Sequence, residues 1–271
     1  MRTIAHISDL HFGRVDAGLL EPLVSAIDAL APDVVAVSGD LTQRARDHEF
    51  RAAAEFLERL RFPKIIVPGN HDIPLFNLVA RFAQPLDGYL KHITPDLAPW
   101  YADAELVVFG VNTARSLTWK GGRINAEQIE AARARLCELP DEVVKVMVTH
   151  HPFDVGEGRE RDMVGRADLA VTALAHCGID ILLSGHLHQA AVGTTADRFC
   201  IAGHAALIVQ AGTTLSERTR KEVNSFNVLR TEASSISVQR YLWDVAARNF
   251  VAQPPHEFRR SGAVWETAPG P

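Results

Sequence analysis

Five short clusters of metal-binding side chains recur along the chain, each just after an apolar run that reads as a buried β-strand: Asp9 with His11, Asp40, Asn70 with His71 and Asp72, His150, and His186 with His188. A chain that must gather the ends of several strands in one place is confined to few folds. Ligands converging at the carboxyl edge of an α/β sheet are the simplest of these. The donors are oxygen and nitrogen rather than thiolate, and they exceed what one tetrahedral ion needs. Two adjacent ions are the simpler reading.

The apolar pattern agrees with such a sheet. Residues 3–8 read as a strand, and Leu19, Leu20, Leu23, Val24, Ile27 and Leu30 recur at helical spacing. Then come a strand at 34–38, a helix through Phe50, Ala53, Phe56, Leu57 and Leu60, and a strand at 64–67 bounded by Pro63 and Pro68. The strands are continuous apolar runs, the signature of a sheet covered by helices on both faces. Residues 107–111, 143–149 and 179–184 read as further strands, with helices at 128–136 and 169–177 between them. After that the helical pattern stops, and 199–202, 206–210, 226–229 and 236–242 read as strands of a second, more antiparallel sheet. The expected fold is α/β, a four-layer α/β/β/α sandwich of two mixed sheets flanked by helices, spanning residues 1–252. Residues 87–104 and 153–165 are expected to be site-capping loops. The proline-rich tail, 253–271, is expected to be weakly ordered.

At 271 residues with 47% hydrophobic content, one domain can bury an ample core. The net charge is −5 and the 28 Lys and Arg form no long basic block, which argues against a nucleic-acid track. A small anionic substrate is still compatible, because metal ions supply positive charge locally. Cys137, Cys177 and Cys200 are scattered and odd in number, with no CxxC pair, and are expected to be reduced. The first residues enter a strand pattern without the apolar stretch of a signal peptide, and no apolar run reaches the roughly 20 residues of a membrane span. The expectation is a soluble, cytoplasmic protein with no membrane partner.

Asp9 and His11 stand two apart at a strand end, so in an extended chain both side chains leave on the same side and reach one ion. Alone, such a pair equally caps a helix, as does Asp40 after Gly39. Gly69-Asn70-His71-Asp72 is more demanding, because glycine lets the chain turn sharply while an amide, an imidazole and a carboxylate follow in sequence. An Asx turn closed by Asn70 and Asp72 is the plainer alternative there. His186 and His188 repeat the two-apart spacing after Gly185. Each cluster has a plain reading by itself; their order, each at a strand end, points to convergence.

That order, DxH, GD, GNHD, H and GHxH, resembles the calcineurin-like metallophosphoesterases and is matched throughout, from Ile4 to about His188. The resemblance implies that Asp9, His11 and His188 hold one divalent ion, that Asn70, His150 and His186 hold the other, and that Asp40 bridges them. Of His150 and His151 the family's pattern points to the first. The ions implied are Mn, Fe, Zn or Co, all compatible with these donors. A metal-bridging hydroxide would attack the phosphorus. His71 would contact the phosphate or protonate the departing oxygen, with Asp72 either orienting it or capping a helix. Arg44 stands at the offset from Asp40 where phosphoprotein phosphatases set an arginine against phosphate, although a solvated arginine at a helix start reads the same. Asn112, Arg115, Lys120, Arg123 and Trp119 are further substrate-side candidates, and His6 is expected to be a buried, hydrogen-bonded residue.

In pattern the chain is most similar to bacterial class III cyclic-nucleotide phosphodiesterases and glycerophosphodiesterases. The substrate implied is a small phosphodiester such as 3',5'-cyclic AMP. A phosphomonoesterase or nucleotide-sugar pyrophosphatase on the same fold is the alternative, and a metal-free scaffold is an alternative of a different class. The relatives' frequent dimers extend to a homodimer as an expectation.

Overall fold

In a computed structural model, which describes residues 1–156, 158–199, 201–218 and 222–268, the βα units of the first half form where the apolar spacing puts them. The chain runs through β1 (Arg2–Ile7), α1 (Leu20–Leu30), β2 (Val34–Ser38), α2 (Asp47–Arg59), β3 (Lys64–Val67), α3 (Leu78–Ala83), α4 (Asp87–His92), β4 (Trp100–Ala102) and β5 (Leu106–Gly110). It continues with β6 (Gly122–Arg123), α5 (Ala126–Leu136), β7 (Val144–Val148), β8 (Val164–Gly165), α6 (Ala167–Ala175), β9 (Ile181–Ser184), β10 (Ala191–Thr194), α7 (Ala196–Phe199) and β11 (Leu207–Gln210). The last strands are β12 (Ser225–Thr231), β13 (Ser235–Asp244), β14 (Asn249–Ala252), β15 (His256–Ser261) and β16 (Val264–Thr267).

Two mixed sheets face each other. The first has the order β16-β15-β13-β12-β1-β2-β3, with β14 beside β13, and the second the order β10-β11-β9-β7-β5-β4. The late strands therefore do not build a sheet of their own, contrary to the sequence expectation. β11 joins the second sheet parallel to β9, while β12 to β16 extend the first, starting antiparallel to β1 from Arg2↔Thr231 to His6↔Asn227. β1 has only one neighbour among the early strands, and an uncovered strand edge with unpaired amides invites such a partner.

The four expected layers are present. Ile4, Ala36 and Val67 of the first sheet and Val108, Val146 and Leu183 of the second belong to one apolar cluster between the sheets. Leu23 and Ile27 of α1 and Phe50 and Phe56 of α2 cover the first sheet's outer face, and Ile129 of α5 and Val171 of α6 cover that of the second. Both faces of each central strand are thus dry, which is why those strands read as unbroken apolar runs.

Four expectations are corrected. Residues 87–104 are not a capping loop: they hold α4 and β4, and buried Tyr89 donates its hydroxyl to the Ile66 carbonyl at 2.9 Å, drawing α4 onto the domain. The expected strand at 199–202 is absent where described, since Phe199 ends α7 and Cys200 lies outside the described residues. The tail is ordered as far as Ala268: β15 pairs with β13 and β16 with β15, and residues 269–271 lie outside the described residues. Trp265 accounts for this, being 1% exposed with its indole N–H donated to Asp180 at 2.8 Å. Cys137 and Cys177 are not free thiols but form a disulfide between the ends of α5 and α6, 40 residues apart in sequence, where spacing carries no signal. Among the described residues no helix is long and apolar enough to cross a membrane.

Candidate metal centre

The donor clusters follow β1, β2 and β3 of the first sheet and β7 and β9 of the second, so the site lies on the rim where both sheets end rather than along one sheet. The donors are not presented from extended backbone. φ is +52° at Asp9, +49° at His11, +51° at Asp40, +72° at His186 and +57° at His188, all in the left-handed region. Each such residue costs about 1 kcal/mol or more and persists only when its surroundings enforce it. Here cross-loop bonds do so: the Asp9 N–H donates to Gly39 O at 3.1 Å and the His11 N–H to Asp40 O at 2.9 Å. Two glycines permit the crowding. A Cβ on Gly69 would strike Asp40, and one on Gly185 would strike Ser8 and Asp9.

The donors form two groups that share a carboxylate. Asp9 Oδ1 lies 3.7 Å from His11 Nε2 and 3.6 Å from His188 Nε2, and Asp40 Oδ2 lies 3.8 Å from His11 Nε2. The other Asp40 oxygen, Oδ1, lies 3.3 Å from His150 Nε2, which is 3.1 Å from Asn70 Oδ1 and 3.2 Å from His186 Nδ1. Metal–donor bonds of roughly 2.1 Å in a tetrahedron set donors about 3.4 Å apart, so both groups are spaced for an ion. Asp9 Oδ1 and both His11 nitrogens are buried yet have no hydrogen-bond partner among the described residues, a costly arrangement that a cation relieves. His151 also falls within ligand reach of His150 and His186.

Protonation suits ligation. Burial opposes ionisation of Asp9 and Asp40, but His188 and His11 beside Asp9, and His150 and His71 beside Asp40, hold both carboxyls below their usual range. Burial, with His150 nearby, lowers His186 to about 3, and burial lowers His188 to about 4, leaving both imidazoles neutral at pH 7. His150 is the exception: burial works against its charge, yet Asp40 pushes it up to about 9, so a cation must displace its proton. Outer contacts fix which nitrogens face inward. His150 Nδ1–H donates to Ser38 O at 2.8 Å, and His188 Nδ1 pairs with the Thr213 hydroxyl at 2.7 Å.

Residues 2–190 match the family model described as calcineurin-like phosphoesterase. The chain belongs to that family. Calcineurin-like phosphoesterases use a dinuclear metal centre to hydrolyse phosphoesters, and both donor groups sit inside the matched stretch. Over 168 residues the chain is 40% identical to the glycerophosphodiester phosphodiesterase GpdQ of Enterobacter lignolyticus, a match covering 58% of this chain and 59% of that protein. It is 25% identical over 202 residues to the 3',5'-cyclic adenosine monophosphate phosphodiesterase CpdA of Escherichia coli K12, covering 69% of each. A dimetal phosphatase from Danio rerio has the same fold, with a TM-score of 0.67 at 13% identity, covering 93% of this chain and 98% of that one.

Around this calcineurin-like centre the remaining candidates divide. His71 faces the pocket, with Nδ1–H donated to Gln43 O at 2.9 Å and Nε2 accepting from Arg218 at 3.2 Å. A carbonyl only accepts and a guanidinium only donates, so the ring is neutral with its lone pair on Nε2. Asp72 does not orient this ring. Its carboxylate accepts from the Leu41, Thr42 and Gly69 N–H groups at 3.1, 2.8 and 2.8 Å, tying the loop after β2 to the loop after β3. Arg44 is exposed and lies over the Phe76 ring at 4.8 Å, outside the metal pocket. Arg115 is spent on Gln128 and on the Asn112 and Ala114 carbonyls, and Trp119 is 61% exposed beside Arg81; Lys120 does line the pocket. Asn112 turns its side chain onto the Ala114 N–H, and exposed Arg123 is absent from the pocket wall. His151 is held by the Thr113 hydroxyl at 2.8 Å, and His6 is buried with Nε2 on Ser38 at 2.9 Å, as expected. Two pocket residues escaped the sequence reading: Arg218, in a segment without a motif, and Asp162, in the loop before β8.

Proposed function

We propose that this protein is a dinuclear-metal phosphodiesterase acting on small phosphodiesters such as 3',5'-cyclic AMP or glycerophosphodiesters. The observation that carries this is the pair of donor groups joined by the two oxygens of Asp40. Asp9, His11, Asp40 and His188 would hold one cation, and Asp40, Asn70, His150 and His186 the other. Two divalent cations so placed supply a hydroxide nucleophile at neutral pH and offset charge on the phosphoryl oxygens. Manganese, iron, zinc and cobalt all suit these donors.

The protein's own groups do the rest. Arg218 and Lys120 bring positive charge to the pocket mouth, where a diester's non-bridging oxygens enter. Once phosphate draws the Arg218 guanidinium away, Nε2 of His71 is released to take the proton brought in by the attacking water and to pass it to the departing alkoxide, which leaves as the neutral alcohol. Burial lowers the His71 pKa, so that proton is acquired within the site rather than stored beforehand. The similarity to GpdQ and CpdA supports a diester over a monoester. The deciding experiment is a turnover panel of cyclic nucleotides, glycerophosphodiesters, bis(p-nitrophenyl) phosphate, monoesters and pyrophosphates with manganese, iron, zinc or cobalt. Full metal loading with no diester turned over would defeat the proposal.

A further inference from the structure

Beside the metal pocket lies a second cavity of about 340 Å³, lined by Arg14, Arg44, Arg46 and Arg218 together with Gln43 and Glu49. These arginines come from three separate stretches: the turn after β1, the loop before α2, and the segment before β12. Four guanidinium groups and one carboxylate line this cavity, in a chain whose net charge is −5. The carboxylate is already engaged, since Glu49 Oε2 accepts the backbone N–H of Arg44 at 2.7 Å and of Arg46 at 3.3 Å. Among the described residues Arg14, Arg44 and Arg46 pair with no acid, whereas nearby Arg51, Arg59 and Arg61 each do. Gathering like charges is unfavourable, and a bound anion offsets their repulsion.

The cavity and the metal pocket are continuous in their walls. Arg218 lines both, and Gln43 holds His71 through its carbonyl and receives Arg218 on its side-chain oxygen at 3.4 Å. We propose that the arginine cavity binds a second phosphate group, carried on one alcohol arm of the diester whose other phosphate sits in the metal pocket. Guanidinium forks match phosphate oxygens in pairs, which suits an arginine-lined rather than lysine-lined pocket to this anion. The inference rests on the phosphodiesterase reading above and narrows it to diesters with an anionic arm.

Two p-nitrophenyl diesters test it on the manganese-loaded full chain, one with an ethyl second arm and one with a 2-phosphoethyl arm. The expected result is a kcat/KM about tenfold or more higher for the phosphate-bearing arm, an advantage that shrinks as salt is raised. In an Arg14→Gln/Arg46→Gln double variant that advantage falls toward unity, while the rate on the ethyl diester stays at the wild-type value. Equal rates on the two substrates, or an advantage that survives in the double variant, would overturn the proposal. If neither diester is cleaved, the substrate panel above decides the phosphodiesterase reading, and calorimetric titration of propane-1,3-diol bisphosphate and methyl phosphate decides the cavity on its own. Tighter binding of the bisphosphate, lost in the double variant, supports the subsite; equal binding sinks it.

Discussion

The carboxylate of Asp162 lies 3.9 Å from Nε2 of His186, while Nδ1 of the same ring faces His150. An imidazole that ligates through one nitrogen and meets a carboxylate with the other is oriented and made more basic by it. Asp162→Asn is expected to weaken one of two manganese-binding steps about 10- to 100-fold and leave the other in place. Calorimetric metal titration reads this directly. Unchanged affinities for both ions would show that Asp162 serves something other than His186.

His71 sets a different expectation, because it faces the pocket without belonging to either donor group. His71→Asn should lower turnover of bis(p-nitrophenyl) phosphate by about 10²- to 10⁴-fold while two ions stay bound. Elemental analysis of the variant beside its kinetics separates the cases. Loss of an ion would make His71 a ligand.

Asp40 is the one donor common to both groups. Asp40→Asn keeps the shape and tolerates the left-handed backbone, so the chain should fold with unchanged circular dichroism. Activity should fall more than about 10³-fold and metal content below two per chain. A variant retaining both ions would refute the sharing.

Stability should carry a signature of His6, which is fully buried and whose pKa is lowered by burial from 6.5 to about 3. The unfolded chain binds a proton there below pH 6.5 that the folded chain refuses. This contribution is therefore whole above pH 6.5 and is lost as pH falls toward 3, by about 3 kcal/mol at pH 4. Urea unfolding of wild type and His6→Asn at pH 7 and pH 4 tests it. The stability gap between them should narrow by that order as pH falls, and a constant gap would contradict the assignment.

The bridge between Cys137 and Cys177 closes a 40-residue loop, which in the chain-entropy model stabilises the fold by about 4 kcal/mol. Thiol titration of denatured, unreduced protein should find one reactive cysteine, and Cys137→Ser should lower the unfolding midpoint. Three reactive thiols would mean that the bridge does not form in the purified protein.

Much of this was legible in the residue string. Continuous apolar runs marked the central strands because both faces of β2, β5, β7 and β9 are buried. Donor types and spacing marked the clusters, and the family resemblance divided them into two groups. What escaped has physical causes. Period-two patterning reports burial but not which sheet a strand joins, so β12 and β13 were assigned to the wrong one. Trp265 and Phe258 order a segment whose prolines suggested otherwise. Arg218 reaches the pocket from a stretch without periodicity, and Asp72 spends its carboxylate on three backbone amides that no spacing rule foretells.

Because each donor group draws residues from both sheets, the distances within it are governed partly by how those sheets stack. Ala36 and Val67 share one interior cluster with Val146 and Leu183, and none of the four is itself a donor. A volume change among them would slide one half of the active site past the other. Such a protein would stay folded and keep every catalytic residue, yet turn over slowly for want of alignment.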